Sequence, residues 1–219
     1  MAKKDTLDQR SNNNGSLKSY SARAVYTEPI LKRSLLEFSV GKSNSKSVSE
    51  LTTYDFNKQS GKYDDLNDVQ TNDFENIYGY TNAGIRMRTQ KKKYNYSMGL
   101  TWQQAELEGK ITSGIKDSVI SKTFRNLLPN ARFQYYFSRF KSLSVNYSAN
   151  TNQPSMSQLQ PVPDLTNRLN IRQGNPDLKQ EYNHTIQGNL NLLSPYKNKN
   201  LFMFFTMQTT KNKIVNYDH

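Results

Sequence analysis

Apolar and polar residues alternate along most of this chain. From Asn130 to Ser138, the residues Ala131, Phe133, Tyr135 and Phe137 share one side, and Arg132, Gln134, Tyr136 and Ser138 share the other. After the connection Arg139-Phe140-Lys141, Leu143, Val145, Tyr147 and Ala149 oppose Ser142, Ser144, Asn146, Ser148 and Asn150. A period of two is the strand period, because successive side chains leave opposite faces of the backbone. About nine residues per arm is the length of a strand that crosses a bilayer in a barrel wall.

The same pattern predicts about eight strands. The first, 18–27, sets Tyr20, Ala22, Ala24 and Tyr26 on one face. A turn follows at 28–33, where Pro29 has no N–H for a ladder. The second strand sets Leu36, Phe38 and Val40 against Glu37, Ser39 and Gly41, and its polar continuation to Tyr54 is expected to stand above the membrane. Strand three opposes Thr81, Ala83, Ile85 and Met87 to Asn82, Gly84, Arg86 and Arg88. Strand four opposes Tyr94, Tyr96, Met98, Leu100 and Trp102 to Asn95, Ser97, Gly99, Thr101 and Gln103. The hairpin described above gives strands five and six. Strand seven carries Tyr182, His184, Ile186, Gly188, Leu190 and Leu192 on one face, and strand eight covers about 201–210. The predicted hairpins are 18–54, 77–105, 124–150 and 180–215, preceded by a flexible start at 1–17 that lacks apolar periodicity.

The connections alternate in length. Short ones fall near 28–33, 89–93, 139–141 and 194–199, and long polar ones near 55–76, 106–122 and 151–179. Outer-membrane barrels have this asymmetry, with tight periplasmic turns and long extracellular loops. The expected fold is therefore all-β: an antiparallel meander forming part of a large transmembrane β-barrel. A soluble β-sandwich, or a surface adhesin binding glycan or protein, would show the same alternation with the apolar face inward. A small self-contained eight-stranded pore is a further alternative. Polar faces rich in uncharged Asn, Ser, Thr and Gln, and aromatics near strand ends, favour lipid on the apolar side.

Composition sharpens this picture. Apolar residues make up 34% of the 219 and mean hydropathy is −0.87. The longest apolar run, Leu201 to Phe205, is too short for a membrane-spanning helix. Fourteen Tyr and ten Phe within alternating segments argue against disorder along the whole length. The start Met1-Ala-Lys-Lys-Asp5 has no apolar signal region, so the chain is expected to be an internal piece of a longer protein.

The net charge of +12 invites a nucleic-acid reading, but Lys91-Lys92-Lys93 falls where a turn belongs and no nucleic-acid-binding signature accompanies it. No nucleic-acid partner is expected. There is no cysteine, and His184 and His219 have no partners at motif spacing. Asp64, Asp65 and Asp68 lack the spacing of a calcium loop and read as solvated carboxylates. No catalytic residue, metal or cofactor is expected, and the segment is not expected to be an enzyme.

Three stretches carry a family likeness: Phe124-Arg-Asn-Leu-Leu-Pro-Asn-Ala131, Tyr147-Ser-Ala-Asn-Thr-Asn-Gln-Pro-Ser-Met-Ser-Gln-Leu-Gln-Pro-Val162, and Arg168-Leu-Asn-Ile-Arg-Gln-Gly-Asn-Pro-Asp-Leu-Lys-Gln-Glu-Tyr182. Together they resemble the outer-membrane β-barrel family of Bacteroidetes-type TonB-dependent receptors. The departure is at Asn167-Arg168-Leu169, where the family usually has Asn-Pro-Leu, and it affects the local loop shape.

The resemblance implies a location in the bacterial cell outer membrane and a barrel of about 22 strands. It also implies outer-membrane lipid, a plug domain of the same full-length chain, a TonB-type energising complex and a nutrient ligand as partners. On that reading Arg86, Arg88, Arg132, Gln134 and Asn146 face the lumen and contact plug or substrate. Pro154, Gln158, Leu159, Pro161, Gly174, Asn175 and Pro176 belong to a structured extracellular loop. Leu159, Val162, Leu165, Leu169 and Ile171 are the candidates for folding that loop back over the barrel mouth.

Overall fold

The computed structural model of the chain describes residues 8–68, 70–113, 118–159 and 174–215. Its strands are β1 (Gln9–Leu31), β2 (Ser34–Asn57), β3 (Lys62–Leu66), β4 (Asn72–Gln90), β5 (Tyr94–Ser113), β6 (Ser118–Ser138), β7 (Lys141–Asn152), β8 (Glu181–Ser194) and β9 (Lys199–Lys211). A four-residue helix, α1 (Met156–Leu159), follows β7. Eight strands form one antiparallel meander in the order β1-β2-β4-β5-β6-β7-β8-β9, curled as a half-barrel, and β3 adds to the far end of β2. The expected fold class stands.

The registers carry the predicted faces across the sheet. One outward row runs Tyr26–Phe38–Ile85–Leu100–Pro129, and the next runs Ala24–Val40–Ala83–Trp102–Leu127. Their exposure follows from there being no protein outside them: Phe38 is 44% exposed, Leu100 43% and Trp102 40%. Water does not tolerate a continuous apolar face of this extent, whereas hydrocarbon does.

The strands are much longer than a bilayer requires. Residues 9–17, expected to be flexible, are the start of β1 and pair with 47–55 of β2. Most of the polar stretches expected as loops at 55–76 and 106–122 is strand as well, in β2, β3, β4, β5 and β6. Their polar composition masked a ladder whose backbone bonds do not depend on apolar side chains. Among the described residues, the turn at 58–61, closed by Gly61 at φ 66°, and residues 67, 68, 70 and 71 interrupt the first arm.

Above the Ala24–Leu127 row the alternation changes phase. On β5, Trp102 points outward, but the next apolar residues are Ala105 and Leu107, which belong to the inward set, while Gln104, Glu106 and Glu108 take the outward positions. On β6 the switch lies between Phe124 and Leu127. Lipid lies outside the lower half, so its apolar residues face out. Water lies outside the upper half, so on β5 and β6 Ala105, Leu107, Ile120 and Phe124 face in, and Leu107 and Ile120 are covered there by Met156 and Leu159. The inversion marks the upper edge of the membrane on the wall.

Pro129 lies inside β6, where a missing N–H would normally break a sheet. It sits just past the last β6–β7 pair, Asn130↔Ser148, so the ladder ends beside it. Above this point β6 continues and β7 diverges, which opens a gap for the loop that follows.

Candidate functional site: the lumen face and its mouth

The inner face of the lower wall is polar on every central strand. Arg88, Ser97, Arg132, Asn146 and Gln187 form one register row across β4 to β8. Gln134 lies between Asn95 and Ser144 on the neighbouring row. The five residues expected to face the lumen thus share the face opposite the apolar band. They are not equivalent. Arg86 already has a wall partner, with its guanidinium 3.8 Å from Glu37 and both side chains partly exposed. Arg88 and Arg132 have no carboxylate within ion-pair distance among the described residues. They flank Ser97 from strands two apart, so their Cα atoms lie about 10 Å from each other.

Next to Arg86 the wall is thin. Gly99 leaves room for the Arg86 and Asn130 side chains, and Gly84 for Ser39 and Thr101. An added Cβ at either position would fall within 3.0 Å of a neighbouring polar side chain. This shallow floor was not singled out from the sequence, where each glycine stood as one polar position among others.

At the mouth, the inward apolar set of the upper wall meets the loop after β7. Leu107 and Ile120 are buried together with Met156 and Leu159, and Tyr78, Phe124 and Leu178 pack against them. Gly109 provides the seat, because an added Cβ there would overlap the Met156 thioether. Helix α1 is short but well closed. The Gln158 N–H donates to Ser155 Oγ (3.2 Å), and the Ser155 N–H donates to Gln158 Oε1 (2.9 Å). This is a reciprocal capping box, readable in the sequence as Ser-x-x-Gln.

The two described ends of the loop are joined by the Asn175 N–H donating to the Gln158 carbonyl (2.7 Å). Asn175 Oδ1 accepts from the Asp177 N–H (2.8 Å) and forms the tight turn through Pro176. Below the cluster, Asn126 donates to Gln180 (2.6 Å), Thr151 donates to Gln103 (3.2 Å), and the Tyr182 hydroxyl donates to the Leu127 carbonyl left free by the departure of β7. A polar belt therefore separates the lipid-level wall from the apolar seat.

Of the loop residues expected to be structured, Pro154 and Leu159 are fully buried, and Gln158 and Asn175 make the bonds given above. Gly174 is half-buried and Pro176 exposed. Pro161, Val162, Leu165, Leu169 and Ile171 lie outside the described residues. Met156, Leu178 and the wall residues Tyr78, Leu107, Ile120 and Phe124 were not foreseen as partners. Their signal is the change of alternation phase near Gln103 and Arg125, which reads in isolation as loss of pattern.

No group of three or more His, Asp or Glu residues placed to hold a metal ion occurs among the described residues. Burial, and secondarily the neighbouring Tyr80 phenol, raise the Tyr78 phenol above its usual value of 10.0.

Comparison with known proteins agrees with this architecture. A model of the "Outer membrane protein beta-barrel family" matches residues 2–218. The ferric citrate transporter FecA in its unliganded form is similar in fold, with a TM-score of 0.51 at 13% identity over 84% of this chain. The chain spans 28% of that transporter. The siderophore receptor PirA from Pseudomonas aeruginosa gives a TM-score of 0.29 at 9% identity, over 86% of this chain and 47% of that one. No curated protein matches the chain in sequence. The apolar outward band now has its solvent, the lipid of the bacterial outer membrane. With nearly every residue matched, the chain belongs to the outer membrane protein β-barrel family.

Proposed function

We propose that this chain is a wall segment of a TonB-dependent outer-membrane receptor that takes up a nutrient too large or too scarce for open pores. The observation that carries the reading is the loop at the mouth. A segment after β7 turns inward and packs on the wall above a polar lumen, so the barrel is restricted from above. In this reading the arms and inward loop face the cell exterior and capture the ligand. Arg88, Arg132, Gln134 and Asn146 meet the ligand or the plug domain of the same full-length chain, and Arg86 is held by Glu37. A TonB-type complex supplies the energy, and the segment performs no enzyme chemistry. The strand order is open, with β1 and β9 unpaired to each other, which speaks against a self-contained eight-stranded pore. The exposed outward band speaks against a soluble sandwich or adhesin.

The test is uptake by intact cells. Deleting the gene for the full-length protein is expected to abolish growth on one scarce nutrient within a panel, and inactivating the energising complex is expected to do the same. Uptake that survives loss of the energising complex sinks the transporter reading.

A further inference from the structure

The charge of this chain is unevenly placed. All four short turns are cationic: Lys32-Arg33, Lys91-Lys92-Lys93, Arg139-Phe140-Lys141, and Lys197-Asn198-Lys199. The spans 31–34, 90–94, 138–142 and 194–200 contain these nine cations and no carboxylate. Nine charges account for most of the net +12, and they occupy one rim. The turns at 91–93 and 139–140 are adjacent, because the Tyr136 N–H donates to the Lys93 carbonyl (2.7 Å). Between them, on the lumen side of the rim, a cleft of about 530 Å³ is lined by Lys91, Lys92, Lys93 and Arg139 with the inward-facing Asn95 and Tyr136, so the cations there reach the leaflet from the turns rather than through the cleft.

We infer that this rim binds the phosphates of anionic phospholipid headgroups in the leaflet at the short-turn end. The inference rests on the orientation proposed above, which makes that leaflet the periplasmic one. Two features favour lipid over an acidic protein partner. The cations recur on every turn along the wall, as a ring of lipid requires, whereas a folded partner would touch one sector. At the two central turns the flanking residues are aromatic: Tyr94 pairs with Tyr135, Phe137 is 54% exposed, and the Arg139 guanidinium lies 5.7 Å from the Phe140 ring. Aromatic rings at headgroup level, with long cationic side chains reaching past them to phosphate, are the usual membrane-interface anchor. Juxtamembrane Lys and Arg each gain affinity for an anionic leaflet, so several together discriminate strongly.

The experiment uses the full-length protein in detergent, equilibrated with chain-matched phosphatidylglycerol and phosphatidylcholine, with bound lipid counted by native mass spectrometry. Enrichment of phosphatidylglycerol on the order of tenfold is expected, falling as salt is raised. Replacing all nine turn cations by Gln is expected to bring the ratio near one, and replacing all seven turn lysines by Arg to preserve it. Lys18→Gln/Lys42→Gln/Lys46→Gln, which neutralises outward lysines on the arms, is expected to leave it unchanged.

No enrichment by the unmodified protein, enrichment indifferent to salt, or equal loss in the arm variant overturns the proposal. Full displacement of the lipid by soluble polyglutamate would assign the rim to an acidic protein instead. If the Gln variant does not fold, the salt series and the Arg variant still decide. Orientation is read separately. Ser60→Cys is expected to react with an impermeant maleimide on intact cells and Asn198→Cys is not. The reverse pattern would sink the orientation under the proposed function while leaving the lipid preference standing.

Discussion

Single residues hold the segment after β7 against the wall. Gly109 is a glycine because Met156 occupies the space of its missing side chain. Gly109→Val overpacks that contact, at a cost of about 1–3 kcal/mol, and is expected to lift the loop. The readout is the Met156 thioether, which is 9% exposed and thus shielded from peroxide. Its sulfoxide, measured by mass spectrometry, is expected to form severalfold faster in the variant while the barrel keeps its heat-modifiable migration. An unchanged oxidation rate would show that Met156 is not held by this seat. Tyr78 adds a pH dependence to the same contact. Because its phenol is raised by burial, its contribution is complete below the ordinary Tyr pKa and is lost as pH rises through the higher folded value. Met156 protection is therefore expected to be flat through neutral pH and to weaken only above about 10, with Tyr78→Phe removing the step. Sequence reading found Leu159 but not its wall partners. Their placement depends on which face is wet, and alternation alone does not carry that information.

At the scale of the strand, the two faces of one element experience different solvents. Leu100 and Ser97 are three positions apart on β5, one outward and one inward. Leu100→Arg puts a charge into hydrocarbon and is expected to cost about 2–4 kcal/mol, whereas Ser97→Arg on the lumen face is expected to cost little. Urea titration of the full-length protein folded in lipid vesicles measures both, and equal costs would contradict the assigned faces. The lower halves of the strands were legible, because lipid demands an unbroken apolar row from Phe38 to Pro129 and leaves it in the sequence. The upper halves were not. In Asp55–Asp73 and Glu106–Lys122 the ladder has water on its outer side, so Asn, Ser, Lys and Glu fill positions that resemble loop composition. The same applies to Asn12-Asn13-Asn14, which pair with Thr52, Leu51 and Glu50.

For the whole molecule, the alternation of short and long connections separated its two ends, although the first two long ones are mostly strand. The polar row Arg88–Ser97–Arg132–Asn146 was also legible, since each of its residues alternates with one of the apolar band. The height of the arms has a consequence for anything that meets their tips. From Val40, on the last apolar row, β2 runs to Asn57. At about 3.3 Å per residue and a tilt near 40°, its tip stands about 40 Å above the bilayer edge. The Debye length in physiological salt is only about 8 Å. Under the proposed receptor role, a ligand arriving at the tips is therefore several Debye lengths from the leaflet and does not sense its charge. On that role, the electrostatics of a first encounter would belong to the arms, and those of the proposed lipid contact to the opposite rim.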